Sequence, residues 1–437
     1  HNENLIAAID IGTTKVVAII GKRKENGRIE ILGVSKTPST GIKRGVVQNI
    51  DETVNAITKT IEEVQSYSES IFSDVFVGIA GQHIKTIRNR GYINRNSYED
   101  EITREDIENL INEMYNISIE VGEEIIHVLP QNFIVDNETG IKNPVGMLGR
   151  RVEANFHIVI GQITSARNIG KCISKAGLKL NELILEPLAS SAAVLTADEQ
   201  EAGVALVDIG GGTTDVAVYY DDIIRHTAVI PFGGDVVTKD IKEGCSILQR
   251  QAELLKLQYG SALGDIARDD EVVSIPGISG REPKEISLKS LAYIIQSRME
   301  EILNAVLYEI ENSGYYDRLS AGIVITGGGA LLKDLPQLVK FITGMDVRLG
   351  YPSELLASES VAEANNPMFS TSVGLVLKGW EFLEQNKEKT PENEEENEET
   401  REEMEDKEEQ PQVNNKGFIN RLKQAFNDIF EENDAEM

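Results

Sequence analysis

Asp10-Ile11-Gly12-Thr13-Thr14-Lys15 and Asp208-Ile209-Gly210-Gly211-Gly212-Thr213-Thr214-Asp215 carry one phrase twice, 198 residues apart. Each sets a carboxylate at the end of an apolar run (LIAAI, GVALV), then glycine, then two threonines. Glycine at a bend lets backbone N–H groups converge on an anion, because no β-carbon blocks the approach. Thr13, Thr14, Thr213 and Thr214 add hydroxyl donors, and Lys15 adds a point charge suited to terminal phosphates. Asp10 and Asp208 stand where they would hold the waters of a Mg²⁺ ion, which prefers carboxylates and retained water. A third glycine run, Gly327-Gly328-Gly329, follows the apolar IVIT. One such phrase is an ordinary tight hairpin. Two at domain spacing, with a late TGGG, predict two related halves facing each other across ATP. Neither GxGxxG nor GxxxxGK[ST] occurs, so a Rossmann or Walker-type phosphate loop is not indicated.

Periodicity gives the elements that must position these residues. The first turn lies between strands, and Asn26-Gly27 marks the next hairpin. Val54, Ile57, Ile61 and Val64 predict a helix over Asp51–Ser66, with Asp51 as its N-cap. DVFVGIAG, from Asp74, reads as a buried strand. An inserted module should follow to about Gln162, with a polar helix near Thr103–Met114 capped by Thr103, a strand around Ile125–Pro130 and the closing run FHIVIG. Chain order then resumes with a helix at Ser165–Ala176 and a strand LILEP ending at Pro187. The second half predicts helices at Gln249–Tyr259 and Leu288–Ser313, a strand at Ile323, and a closing helix at Thr371–Glu384.

Composition bounds the function classes. The chain has 437 residues, too many for one ordinary core, so two or more domains are expected. No apolar run approaches the roughly 18 residues of a membrane-spanning helix, and the first strand is too short for a signal peptide. Cys172 and Cys245 have no metal or redox spacing, which suits core residues in a reducing cytoplasm. The net charge of −29 argues against nucleic acid, which requires a basic footprint.

That charge is uneven. Residues 384–415 hold 14 acidic and 4 basic residues without a hydrophobic pattern, and read as a disordered, self-repelling linker. Residues 416–432 differ abruptly. On a helix, Phe418, Ile419, Leu422, Ala425, Phe426, Ile429 and Phe430 fall within an arc of roughly 140°. A short helix on a long tether needs an apolar partner. The leading expectation is a membrane surface, entered mainly by apolar insertion because only Lys416, Arg421 and Lys423 are basic. A groove on another protein and docking on its own body remain open.

Longer phrases carry a resemblance: TGIKNPVGMLGRRVEANFHIVIG from Thr139 to Gly161, EPLASSAAVL from Glu186, PFGGDVVTKDI from Pro231 and AELLK from Ala252. With the glycine turns, they make the chain resemble the actin–sugar kinase–heat-shock ATPase superfamily. Within it, the chain is similar to the bacterial cell-division family FtsA over about residues 5–383 and the terminal helix. The resemblance implies an α/β, actin-like (ribonuclease H-like) fold of duplicated domains around a nucleotide cleft. It implies subdomain 1A at 1–82 plus 163–190, an inserted 1C subdomain at 83–162, 2A at 191–232 plus 313–383, and 2B at 233–312. The linker at 384–415 and a membrane-targeting helix at 416–432 complete the chain.

The resemblance also implies roles. Gly12 to Lys15 and Gly210 to Thr214 would hold phosphates, and Gly327 to Gly329 the adenosine side. Gly233 and Gly234 would lie near the sugar, and Glu253 and Lys256 would approach ribose and adenine, although a helix-face salt bridge is the plainer reading of that pair. Glu186 would orient an attacking water, in at most a slow ATPase. Arg298, in IIQSRMEEI, would contact the acidic C-terminal peptide of the tubulin-like FtsZ on 2B, unless it simply pairs with Glu301 at i,i+3. Filament self-assembly, attachment to lipids on the inner face of the cell membrane at the division site, and division partners on 1C are implied as well. Two other readings belong to the same superfamily. A sugar or polyol kinase would need a sugar cleft with a catalytic Asp and has no use for a Phe-rich tail. A pilus-assembly ATP-binding protein would normally lack the acidic linker and amphipathic end.

Overall fold

The computed structural model describes residues 5–68 and 72–388. Strands β1 (Leu5–Ile11) and β2 (Lys15–Arg23) pair antiparallel, and the first glycine turn is their connection. β3 (Ile29–Pro38) follows through Asn26-Gly27, with Gly27 at φ 79°. β4 (Ile42–Lys43) and β5 (Val46–Val47) make a minimal hairpin whose two turn residues, Arg44 (φ 49°) and Gly45 (φ 72°), are both left-handed. Two positive φ values are what a tight antiparallel reversal requires.

Helix α1 (Ile50–Ser68) starts earlier than its periodicity predicts. Asn49, not Asp51, is the residue whose side chain accepts the Glu52 N–H, at 3.2 Å. Asp51 lies inside the first turn, where its charge meets the positive end of the helix dipole. β6 (Asp74–Ile79) then runs parallel to β1.

The next segment builds a sheet of its own. It comprises β7 (Lys85–Asn94), α2 (Arg104–Met114), β8 (Glu123–Val135), β9 (Glu138–Ile141) and β10 (Arg151–Gln162), in the order β7-β10-β8-β9. Thr103 and Asp106 close a reciprocal capping box on α2. Leu110, Phe133, Val152 and Phe156 form the centre of a separate core.

Helix α3 (Ile163–Lys175) and β11 (Lys179–Leu185) return the chain to the first sheet, completing the order β11-β6-β1-β2-β3. The strand expected to end at Pro187 stops at Leu185, and Glu186-Pro187 opens α4 (Glu186–Val194) instead. Proline lacks the N–H that a first helical turn leaves unused, so it initiates this helix.

After α5 (Ala197–Ala202), the second half repeats the first. β12 (Val204–Ile209), β13 (Thr214–Tyr220) and β14 (Ile223–Ile230) are followed by α6 (Gly234–Cys245), α7 (Gln249–Tyr259), β15 (Val272–Ile275), β16 (Lys284–Ser287) and α8 (Leu288–Asn312). β17 (Ile323–Thr326), α9 (Leu335–Thr343) and β18 (Val347–Leu349) complete the sheet, in the order β14-β13-β12-β17-β18. Both five-stranded sheets therefore join three antiparallel strands to two parallel ones in the same sequence of directions. Each has its own apolar core, and Cys172 and Cys245 are buried, one in each core.

Helix α10 (Ser370–Glu388) runs five residues into the segment read as linker, where Gln385, Lys387 and Glu388 are good helix formers. The rest of the acidic run and the amphipathic 416–432 segment lie outside the described residues. Among the described residues no helix is long and apolar enough to cross a membrane.

Candidate functional site

The two glycine turns are built alike and face each other. Gly12 N–H donates to the Lys15 carbonyl at 3.0 Å, and Gly210 N–H to the Thr213 carbonyl at 2.9 Å. At Gly211 a β-carbon would overlap the Thr14 side chain, and at Gly212 it would overlap Thr13. Glycine is required here because the opposite turn occupies the space a side chain would fill.

Between the turns lies a cavity of about 50 Å³, room for a few waters. Of the residues singled out from sequence, its walls bring together Asp10, Gly12, Thr13, Thr14, Lys15, Glu186, Asp208, Gly210, Gly211, Gly212, Thr213, Gly327 and Gly328. Ile11, Gly45, Ala80, Asp215, Met368 and Thr371 also line it.

Six residues expected at the nucleotide are not in these walls. Thr214 is buried, and its hydroxyl donates to the Phe232 carbonyl at 2.8 Å. Being the first residue of β13, it points its side chain away from the turn. Gly329 packs against Ile209. Gly233 caps α6, and the N–H groups of Gly234 and Asp235 donate to the carbonyls of Gly210 (2.9 Å) and Gly211 (2.8 Å). Glu253 and Lys256 form the plain helix-face salt bridge, at 2.8 Å, and both reach Thr238 on α6. Lys256 also donates to the Gly234 carbonyl at 3.0 Å. This group braces the second turn from behind.

Four carboxylates and one lysine share the cavity. Asp208 Oδ2 accepts from Ser190 Oγ at 2.5 Å and from Thr371 Oγ1 at 2.9 Å. Burial raises the Asp208 pKa, while those two hydroxyls and the Lys15 charge oppose the rise. Asp10 is pushed up to about 6, chiefly by burial, with Lys15 opposing and Asp208 adding to it. Glu186 rises well above the ordinary carboxylate range by burial and then through the charges of Asp10, Asp215 and Asp208. Asp215 rises well above it for the same reasons, burial first and then Asp208 and Asp10, and its Oδ1 is buried without a hydrogen-bond partner. Such a cluster is poised to take up positive charge, from protons or from a cation. Among the described residues no three His, Cys, Asp or Glu side chains converge to hold a metal directly.

Glu186 is held in place from two sides. Gly78 on β6 leaves it room, since a β-carbon there would sit 3.0 Å from Glu186 Cγ. The preceding N–H, of Leu185, donates to Nε2 of His127 at 3.1 Å, and burial holds that imidazole neutral by lowering its pKa to about 4. Asp215 was legible but missed. It is the β13 residue paired with Asp208 across the hairpin, so both side chains share one face. Ser190 and Thr371, 181 residues apart, carry no such signal.

Arg298 lies on α8 with its guanidinium paired to Asp240 and to Glu301. The i,i+3 pair with Glu301 is present, and Asp240 on α6 adds a second carboxylate.

Comparison with known proteins gives consistent relatives. Residues 205–374 match the family model described as cell division protein FtsA, and residues 81–160 match the SHS2 domain inserted in FtsA. The FtsA of Pseudomonas aeruginosa is 40% identical over 376 residues, covering 86% of this chain and 89% of the relative. That of Escherichia coli is 36% identical over 387 residues, covering 87% and 91%. That of Borreliella burgdorferi is 36% identical over 390 residues, covering 89% and 94%.

Among solved structures, a PilM-PilN type IV pilus biogenesis complex matches with a TM-score of 0.61 at 15% identity, covering 86% of this chain and 98% of the other. MreB 5 of Spiroplasma citri bound to AMPPNP matches at 0.55 and 13% identity, covering 89% and 100%. At such identities these two likenesses speak to fold alone. The fold is α/β and actin-like.

Proposed function

We propose a function for this chain from the premise that it belongs to the FtsA family of cell-division proteins. It binds ATP between its two halves, assembles into filaments under ATP control on the inner face of the cell membrane, and ties the FtsZ ring to that membrane. The observation that carries the nucleotide reading is the pair of facing glycine turns around Lys15 and four carboxylates. Gly12 and Gly210, whose own N–H groups close the turns, would shape them, and the backbone of Gly211 and Gly212, the hydroxyls of Thr13, Thr14 and Thr213, and Lys15 would hold phosphates. Asp10 and Asp208 would hold the waters of Mg²⁺, an ion whose charge would also draw down the raised carboxyls of Glu186 and Asp215. Glu186 is the residue we assign to orienting water, and any turnover is slow.

We assign 1C to the segment of the β7-β10-β8-β9 sheet and 2B to the α6–α8 segment. We assign the FtsZ peptide to 2B near Arg298, where an incoming acidic side chain would exchange with Asp240 or Glu301. Later division partners would use 1C. Membrane attachment rests on the apolar arc of Phe418, Ile419, Leu422, Phe426, Ile429 and Phe430.

The test is co-sedimentation with vesicles of mixed zwitterionic and anionic lipid, with and without ATP–Mg²⁺. The full chain is compared with a truncation after Glu388, which keeps α10 whole. The full chain should pellet with vesicles and form filaments with ATP, while the truncation stays in solution. Equal pelleting of both would overturn the membrane role, and no ATP effect on assembly would overturn the control by nucleotide.

A further inference from the structure

Outside the cavity, one contact joins the cover of the first turn to the cover of the second. The Arg44 guanidinium lies over the Phe232 ring, 5.3 Å from its centroid. Both partners are anchored to the turns they serve. On the first side, Gly45 N–H donates to Thr13 Oγ1 at 3.1 Å. The Arg44 carbonyl accepts from Gln82 N–H at 3.4 Å, and a β-carbon at Gly45 would press on Gly81. On the second side, the Phe232 carbonyl accepts from Thr214 Oγ1, and Gly233 packs on the carbonyls of Gly210 and Gly211. Arg44 and Phe232 thus belong to different halves of the molecule, each fixed to its own glycine turn.

We propose that the Arg44–Phe232 contact is a latch across the mouth of the nucleotide cleft, and that it sets how fast bound nucleotide leaves. The inference rests on the nucleotide reading above. Gly211 and Gly212 lie against Thr14 and Thr13, so separation of the two turns to widen the way for phosphates would carry Phe232 away from Arg44. A guanidinium over an aromatic face is attracted by the ring quadrupole and re-forms when the halves close again. The planar guanidinium stacks where an ammonium does not, so lysine is a poor substitute at this position. Nothing in the latch touches the cavity itself: neither Arg44 nor Phe232 lines it.

The experiment is stopped-flow displacement of a fluorescent N-methylanthraniloyl ATP from the full chain, chased with excess ATP–Mg²⁺. The variants are Arg44→Gln, Arg44→Lys, Phe232→Leu and the double Arg44→Gln/Phe232→Leu. Glutamine keeps a substituted β-carbon at φ 49°, so the backbone cost at position 44 is unchanged. Thermal unfolding midpoints identify any variant that fails to fold.

Removing one exposed cation–π contact should raise the dissociation rate about two- to fivefold in each single variant. Arg44→Lys should fall between wild type and Arg44→Gln, and the double variant should be no faster than the faster single. Effects that multiply in the double variant overturn the latch, as do unchanged rates in both singles. A faster Arg44→Gln with an unchanged Phe232→Leu also overturns it, because the arginine would then act on the phosphates directly. A wild-type chain that takes up no nucleotide overturns the cleft reading itself, and the latch with it.

Discussion

The first and second glycine turns share a sequence phrase and a backbone hydrogen bond, yet the fold gives them different work. The first is short, ends in Lys15, and is roofed by the β4–β5 hairpin through Gly45 and Thr13. The second is equally short, has glycine at its first three positions, and is braced by the N-terminus of α6. Their aspartates diverge as well. Asp208 is held by the hydroxyls of Ser190 and Thr371, which oppose the effect of its burial, whereas Asp10 has Lys15 as its main opposing influence. The first turn contributes charge and the second contributes space. A local motif fixes how the chain bends, and what packs over the bend decides the role.

The contrast can be broken most severely at Gly212. Gly212→Val would drive a side chain into Thr13 and hold the turns apart. Overpacking of this kind costs roughly 1–3 kcal/mol, and fluorescent-nucleotide titration should show binding reduced by more than tenfold. Urea unfolding would show the stability loss. Wild-type affinity in this variant would mean that the turns do not meet.

Next is the charge on the first turn. Lys15→Met removes a charge-assisted contact of about 1.5–3 kcal/mol, so ATP affinity should fall on the order of tenfold to a hundredfold. Isothermal titration of the two proteins decides it. A change below twofold would remove Lys15 from the phosphate site.

The smallest effect concerns Asp10 and pH. Its pKa is raised from 3.8 to about 6 in the fold, so the folded state holds the proton more tightly than the unfolded chain. Its contribution favours folding below about pH 4 and is lost as pH rises through about 6. Asp10→Asn should therefore flatten the stability profile between pH 4 and 6, as read from urea midpoints. ATP–Mg²⁺ affinity of the wild type should strengthen several-fold from pH 5 to 7 as Asp10 ionises, and the variant should lack that slope. An unchanged slope in Asp10→Asn would assign the titration to Glu186, Asp208 or Asp215.

Much of this was legible along the chain, for reasons that differ by element. Alternating and continuous apolar runs mark β1, β6, β12 and β17 because strands buried on both faces admit little else. Thr103 marks α2 because a side-chain cap is a local requirement. Asp51 misled, since an acidic residue suits either the cap or the first turn and Asn49 took the cap. LILEP misled because a proline after a strand signals a boundary without saying which side it serves. Thr214 looked equivalent to Thr213, but strand alternation turns its hydroxyl to Phe232.

By itself, the sequence determined the two glycine turns, the duplicated α/β halves, the inserted module and the family, because each depends on residues near one another in the chain. The tertiary structure alone decided that Gly211 and Gly212 receive Thr14 and Thr13. It also decided that Ser190 and Thr371 steady Asp208, that His127 fixes the entry to Glu186, and that Arg44 meets Phe232. Those pairs lie 18 to 199 residues apart, and such separations leave no periodic trace in the chain. Only folding these distant segments against one another brings them within reach.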